Sequence, residues 1–254
     1  MHSDSRQIVI ASGYPKSGNT WLTRLTAQLI GCPVKGFWTQ PDNNDIAIEG
    51  KERKSEYRCF KAHHTFPILT KSFTDYGNGT EKVIYIVRDP RDVAISASFF
   101  FKRLRGKRIF RLLGLSWLHN KITLQAKLTE YCKIVANGGD LPWMNISWAD
   151  HVESYLDSGA LIIKYENLNS EPALECQRIL NFLGIHRSER DIERAIYLQS
   201  FEKKKNELIK RKNYQKAVFL RTGKSEQWRD IFSEKQNKII VSACADMMQK
   251  FEYV

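Results

Sequence analysis

Three uninterrupted apolar runs constrain the fold most: Ile8-Val9-Ile10-Ala11, Val83-Ile84-Tyr85-Ile86-Val87 and Leu161-Ile162-Ile163. Apolar residues without polar alternation mark strands covered on both faces, and such strands belong to parallel sheets flanked by helices. The pattern predicts strands over 7–12, 58–61, 82–87 and 160–164. A helix follows the first strand over 21–30, with Leu22, Leu25 and Leu29 on one face, and stops at Gly31-Cys32-Pro33. A second opens at Pro90, a favoured first-turn residue, and runs to about 104. Further helices are expected over 171–184, 188–198 and 234–251, and residues 40–57 read as a loop. No repeat, low-complexity linker or composition break divides the chain. The expectation is an α/β protein: one domain over 1–254, with a central parallel β-sheet flanked by helices. A P-loop-like phosphate-binding loop follows its first strand.

That loop reads Gly13-Tyr14-Pro15-Lys16-Ser17-Gly18-Asn19-Thr20 and leads into a helix. It nearly matches the phosphate-binding pattern G-x-x-x-x-G-K-[ST]. Glycines let backbone N–H groups converge on an anion, and the helix N-terminus adds its dipole. Asn19 holds the usual lysine position, and the lysine stands three residues earlier, at Lys16. No acid is placed to hold magnesium with Thr20, because Asp89 ends a strand between Arg88 and Arg91. The loop should therefore bind a phosphate without the metal chemistry of an ATPase. A tight turn that merely needs glycine is the alternative.

Arg88-Asp89-Pro90-Arg91-Asp92-Val93-Ala94-Ile95-Ser96 follows the strand over 82–87. Arg88 lies at a carboxyl end of the sheet, where doubly wound folds bind ligands, and an arginine fork with a serine hydroxyl suits a phosphate. A helix-start arginine paired with Asp89 or Asp92 would look the same. Tyr165-Glu166-Asn167-Leu168 follows the fourth strand. Arg221-Thr222-Gly223-Lys224 is a late basic turn, with Trp228 about one helical turn on.

Together these residues resemble the PAPS-dependent sulfotransferase family in its cytosolic, small-molecule branch (PAPS is 3′-phosphoadenosine 5′-phosphosulfate). The family's Y-P-K-S-G-T-T-W is matched by Tyr14 to Trp21 with one change. Its R-N-P-K-D-V-x-V-S is matched by Arg88 to Ser96, its Y-E-D/N-L by Tyr165 to Leu168, and its R-K-G-x-x-G-x-W-K by Arg221 to Arg229. The order holds from residue 11 to about 233. The resemblance implies sulfuryl transfer from PAPS, leaving PAP, to a hydroxyl or amine of a small-molecule acceptor, with no metal required. It implies that Lys16, Ser17, Gly18, Asn19 and Thr20 hold the 5′-phosphate. Arg88, Ser96, Arg221, Thr222 and Gly223 would hold the 3′-phosphate, and Trp21, Tyr165 and Phe201 the adenine. Trp21 could equally be core. The family's K-T-H is represented by Lys61-Ala62-His63-His64. His63 matches the general base, His64 remains a neighbouring alternative, and Lys61 would help contact the sulfuryl group. By resemblance Ser96 also restrains Lys16. Thr222 in place of lysine removes one 3′-phosphate contact, and Asp89 in place of asparagine should pair with a neighbouring basic group. The wording A-S-x-Y-P-K-S-G-N-T-W resembles bacterial members that tailor natural products, which implies a secondary-metabolite acceptor.

Composition sets the remaining bounds. With 40 Lys plus Arg against 28 Asp plus Glu, the net charge is +12, which calls for an anionic partner. A nucleic-acid binder would explain the charge, but no recognition helix, zinc or RNA-binding signature is present. A P-loop nucleotide kinase would explain the loop, but Asn19 opposes it. No apolar run of membrane-spanning length and no apolar leader core is present. Five cysteines without C-x-x-C spacing disfavour disulfides and zinc. The expected location is the cytoplasm, and no motif sets an oligomeric state. Residues 102–111 carry six basic groups after Phe99-Phe100-Phe101, and 203–213 carry six more. The first run reads as an acceptor lid, as a solvated helix, or as a weak membrane-surface contact over 99–118.

Overall fold

The computed structural model describes residues 6–41, 45–101, 116–210 and 223–254, without the side chains of 116–123 and Leu208. Its core strands are β1 (Gln7–Gly13), β4 (Tyr57–Lys61), β5 (Lys82–Val87) and β6 (Leu161–Lys164), each at its expected place. Two short strands, β2 (Val34–Phe37) and β3 (Gln40–Pro41), complete a sheet of order β3-β2-β4-β1-β5-β6. Every neighbouring pair is parallel except β2 with β3, so the expected central parallel sheet is present, with one short antiparallel strand added at its edge. The antiparallel step is forced by length: only two residues separate β2 from β3, too few for a crossover.

The described residues form two compact units. The first comprises 6–88 and 151–225 and contains the whole sheet; the second comprises 89–150 and 226–254. In the first unit, α1 (Asn19–Ile30) places Leu22, Leu25 and Leu29 against Val9, Ala11, Ile84 and Ile86. These strand residues alternate, as one sheet face requires. The same core takes Leu168 of α7 (Tyr165–Ser170), Ile179 and Leu180 of α8 (Pro172–Leu183), and Ile192 and Ala195 of α9 (Glu189–Leu198). The opposite strand register carries Ser12 and Tyr85, which are paired in the ladder. Short helices α2 (Phe66–Lys71) and α3 (Phe73–Tyr76), with α10 (Phe201–Lys210), complete this unit's helices.

In the second unit, α4 (Pro90–Phe100) packs with α5 (Ser116–Asn137) and α12 (Glu234–Lys250). Helix α11 (Trp228–Ile231) is short, as is α6 (Trp148–Glu153), whose residues from His151 onward belong to the first unit. Helix α4 ends at Phe100 rather than near 104; residues 102–115 lie outside the described ones. Asp89 accepts from the Arg91 N–H as the helix cap and also grips the Arg91 guanidinium at 2.7 Å, both side chains being buried. This is the basic partner expected for Asp89. Arg91 lies 3.5 Å over the ring of Trp228.

Candidate active site

The central position of β1, between β4 and β5, makes its carboxyl end the point where strand order reverses. Ligands of doubly wound sheets bind there. Parallel pairing places four chain segments along this edge of the sheet. They are the loop after β1, Lys61 to His64 after β4, Arg88 after β5 and Tyr165 after β6.

The loop is strained in the way an anion cradle requires. Lys16 has φ 74° and Gly18 φ 109°, both in the left-handed region. A Cβ on Gly18 would stand 2.7 Å from Tyr165 Cδ2, so only glycine fits there. Gly18 caps α1 with no side-chain hydrogen bond, and the Trp21 and Leu22 amides both return to its carbonyl. The amides of the first turn point outward past the helix end, where anions are favoured. The Ser17 N–H, expected to face the phosphate, instead closes the turn onto Tyr14 O at 3.1 Å, while its buried hydroxyl has no partner among the described residues. Lys16 is pushed down to about 7 by burial, with the Lys61 and Arg88 charges adding to it. Lys61 is held below its usual range by burial, opposed by Asp45, whose carboxylate it meets at 3.0 Å. It also lies 4.7 Å from the Phe37 ring centroid. A buried hydroxyl without a partner, an uncapped helix start and three converging cations fit a phosphate-bearing ligand. Among the described residues, no cluster of His, Cys, Asp or Glu could hold a metal ion.

Arg88 and Tyr165 make the second part of the site. The Arg88 guanidinium stacks 4.0 Å from the Tyr165 centroid and donates to Lys224 O at 2.9 Å. Trp21, half-buried, meets the Tyr165 ring edge-on at 5.6 Å. The Tyr165 hydroxyl donates to Gly223 O at 2.9 Å, and a Cβ on Gly223 would stand 3.0 Å from the Phe201 ring, which lies alongside. The structure thus brings Trp21, Arg88 and Gly223 to Tyr165, with Phe201 beside Gly223. Thr20 lies half-buried in the first turn of α1. Ser96 is half-buried on α4, in the second unit, and Arg221 and Thr222 lie outside the described residues.

His63 is the better placed of the two histidines. Its Nδ1 is 2.9 Å from Gly13 O, a carbonyl that can only accept, so Nδ1 carries the proton and Nε2 the lone pair. Asn19 Nδ2 donates to the same Gly13 O at 2.7 Å and to Ala62 O at 3.1 Å, which also brings it within 3.1 Å of His63 Nδ1. Asn19 therefore ties the phosphate loop to the His63 segment rather than presenting its side chain to a phosphate. Burial, then the Lys61 charge, holds His63 well below the ordinary histidine range, so it stays neutral at neutral pH. His64 is half-buried and shifted down by burial alone, and its carbonyl accepts from the Tyr155 hydroxyl at 2.6 Å.

The sequence did not single out Asp45, Phe37, Tyr85, His151 or Tyr155. A signal existed for Tyr85, because a phenol inside an apolar strand must find a partner. It finds His151, sixty-six positions along the chain, at 2.9 Å.

The sulfotransferase domain family matches residues 5–252. Human sulfotransferase 2A1 is 26% identical over 94% of this chain and 85% of its own length. Dog sulfotransferase 1B1 is 26% identical over 93% of this chain and 81% of its own length. Among solved structures, mouse sulfotransferase SULT7A1 complexed with PAP superposes with a TM-score of 0.69 at 20% identity, covering 97% of this chain and 88% of that one. Retinol dehydratase in complex with androsterone and PAP gives 0.61 at 19% identity, covering 95% and 80%. With a family match over residues 5–252 that spans both compact units, and with the Gly18 loop, His63 and Arg88 along one sheet edge, the chain belongs to the sulfotransferase domain family.

Proposed function

We propose that this enzyme is a PAPS-dependent sulfotransferase acting on a hydroxyl, or an amine, of a small-molecule acceptor, and that 1–254 make up one sulfotransferase domain. The observation that carries the reading is the convergence of Lys16, Lys61 and Arg88 on a strained, uncapped phosphate loop beside a neutral His63. Bound PAPS supplies the activated sulfuryl group. The amides of Gly18, Asn19 and Thr20, the Ser17 hydroxyl and Lys16 would hold its 5′ end. Arg88, Gly223 and the aromatic group of Trp21, Tyr165 and Phe201 would hold the rest. Ser96, Arg221 and Thr222 keep their roles from the motif alone.

His63 Nε2 takes the acceptor proton, and Gly13 O steadies the imidazolium that forms by keeping its bond to Nδ1–H. Lys16 holds positive charge at the loop where negative charge collects, and Lys61 holds a second. Alignment of the acceptor against these groups contributes most of the remaining rate. The loop wording supports a secondary-metabolite acceptor. The proposed location remains the cytoplasm; no described helix is long and apolar enough to cross a membrane. Exposed Phe99 and Phe100 support a weak membrane-surface contact through 99–118, and retention in the supernatant with anionic vesicles at low salt would remove it.

Melting curves with adenosine 3′,5′-bisphosphate, ATP–magnesium and short duplex DNA test the reading. The bisphosphate should raise the Tm. A rise with ATP–magnesium or DNA and none with the bisphosphate would replace it with the kinase-like or nucleic-acid reading. His63→Ala should keep the bisphosphate shift and lose turnover by about 10²–10⁴-fold. Full activity would move the base to His64 or elsewhere.

A further inference from the structure

Behind the candidate base lies a polar network that the proposed reaction does not use. His151 is 1% exposed. Its Nε2 is 3.1 Å from the carbonyl oxygen of His63, so Nε2 must carry a proton and donate it. Its Nδ1 therefore accepts, and the donor is the Tyr85 hydroxyl at 2.9 Å. Tyr85 in turn takes a backbone hydrogen bond from Tyr14, within the phosphate loop. The imidazole is held by rings as well: it stacks on Tyr85 (28° between planes) and Tyr155 (26°), and meets Tyr14 edge-on at 5.4 Å. A parallel arm runs alongside. Tyr155 donates to His64 O at 2.6 Å and accepts from Ser12 Oγ at 2.7 Å. Ser12 and Tyr85 face each other in the β1–β5 ladder. Two successive peptide carbonyls, those of His63 and His64, are thus pinned to adjacent strands of the sheet.

From this geometry we infer that His151, fixed by Tyr85, is a positioning residue for His63, holding its main chain so that Nε2 has a single direction. The inference rests on His63 being the base of the proposed reaction. The main chain of His63 is held by His151 and its ring by Gly13 O, so neither can rotate independently of the phosphate loop. His151 is buried among rings and does not reach a reacting atom. It is also kept neutral, pushed down to about 4 mainly by burial, so it adds orientation without charge. A proton transfer needs its heavy atoms within about 2.6–3.2 Å, and an ångström of drift costs about 100-fold.

The test compares His151→Phe, His151→Gln and Tyr85→Phe with the full-length wild type. Phenylalanine keeps the packing and removes both hydrogen bonds, while glutamine can restore one donor and one acceptor. His151→Phe should lower kcat by about 10–100-fold with little change in KM for PAPS or in the bisphosphate Tm shift, and His151→Gln should recover most of it. An independent readout is the imidazole nitrogen spectrum of 15N-labelled protein. Wild-type His63 should carry its proton on Nδ1 and His151 on Nε2. Loss of the brace should turn His63 into a tautomer mixture. If His151→Phe does not fold, Tyr85→Phe removes only an oxygen and should show the same kcat loss and the same spectral change in weaker form. Wild-type kcat in folded His151→Phe or Tyr85→Phe, or a glutamine variant as slow as phenylalanine, would overturn the inference, as would wild-type His63 protonated on Nε2. Expected tautomers without any bisphosphate shift would leave the brace standing and remove the PAPS reading instead.

Discussion

At the scale of single residues, the site is governed by charges that burial makes costly. Lys16 is pushed down to about 7 by burial and by Lys61 and Arg88, from an ordinary 10.5. Between those two values the unfolded chain holds a proton that the folded one lacks. The ligand-free protein should therefore gain stability from this group as pH rises from 7 to 10.5, and carry its full cost below 7. An anionic ligand reverses the effect by favouring charged Lys16. Calorimetric titration with adenosine 3′,5′-bisphosphate at pH 8, in buffers of different ionisation enthalpy, should detect an uptake of roughly half to one proton. Zero uptake would remove Lys16 from the phosphate. His63 titrates well below 6.5, chiefly through burial, and a base must be neutral to act. The kcat–pH profile should accordingly be flat near neutrality and fall only on the acid side, well under pH 6.5. A fall already complete at pH 7 would assign the base elsewhere.

Individual elements set these residues in place, and two of them can be broken selectively. A methyl group on Gly18 would meet Tyr165 Cδ2 at 2.7 Å in a backbone region that alanine avoids. Gly18→Ala should lower unfolding stability by about 1–3 kcal/mol in urea melts and abolish the bisphosphate shift together with it. At the start of α4, Asp89 serves both as the cap and as the partner of buried Arg91. Asp89→Ala should cost about 3–5 kcal/mol, because a guanidinium is left uncompensated. A melt like that of the wild type would mean that Tyr253 O and the Trp228 ring suffice to hold Arg91. These elements differ in how far the sequence announced them. Strands β1, β5 and β6 were legible because each carries an unbroken run of apolar residues, 8–11, 83–87 and 161–163, with no polar alternation. Strand β2 was not, since Val-Lys-Gly-Phe has neither the length nor the uniformity of such a run. The loop, Arg88 and His63 could be read from residue order. The Asn19 link to His63 spans 44 positions and the Tyr85 link to His151 spans 66, and no local pattern encodes such pairs.

For the whole molecule, the surplus of twelve positive charges now has a partial distribution. Lys204, Arg24 and Arg53 surround Glu49, so part of the basic run over 203–213 is internally matched. Lys16, Lys61 and Arg88 form a largely buried cationic cluster, and the run over 102–111 lies outside the described residues. A field of one sign at the ligand's entry point accelerates capture more than it slows release. The association rate constant of the bisphosphate should fall by about tenfold or more as salt is raised from low to high, with the dissociation rate nearly unchanged. A salt-independent association rate would deny the field this role. One oxygen has a wider consequence. The Gly13 carbonyl accepts from both His63 Nδ1 and Asn19 Nδ2, so the proposed nucleotide cradle and the proposed base share a fulcrum. Changes in acceptor taste can accumulate in surrounding loops, but a change at this fulcrum alters both halves of the reaction at once. On the proposed reading the donor half and the proton-accepting half are mechanically one unit, and laboratory selection for new acceptors should find its beneficial substitutions elsewhere.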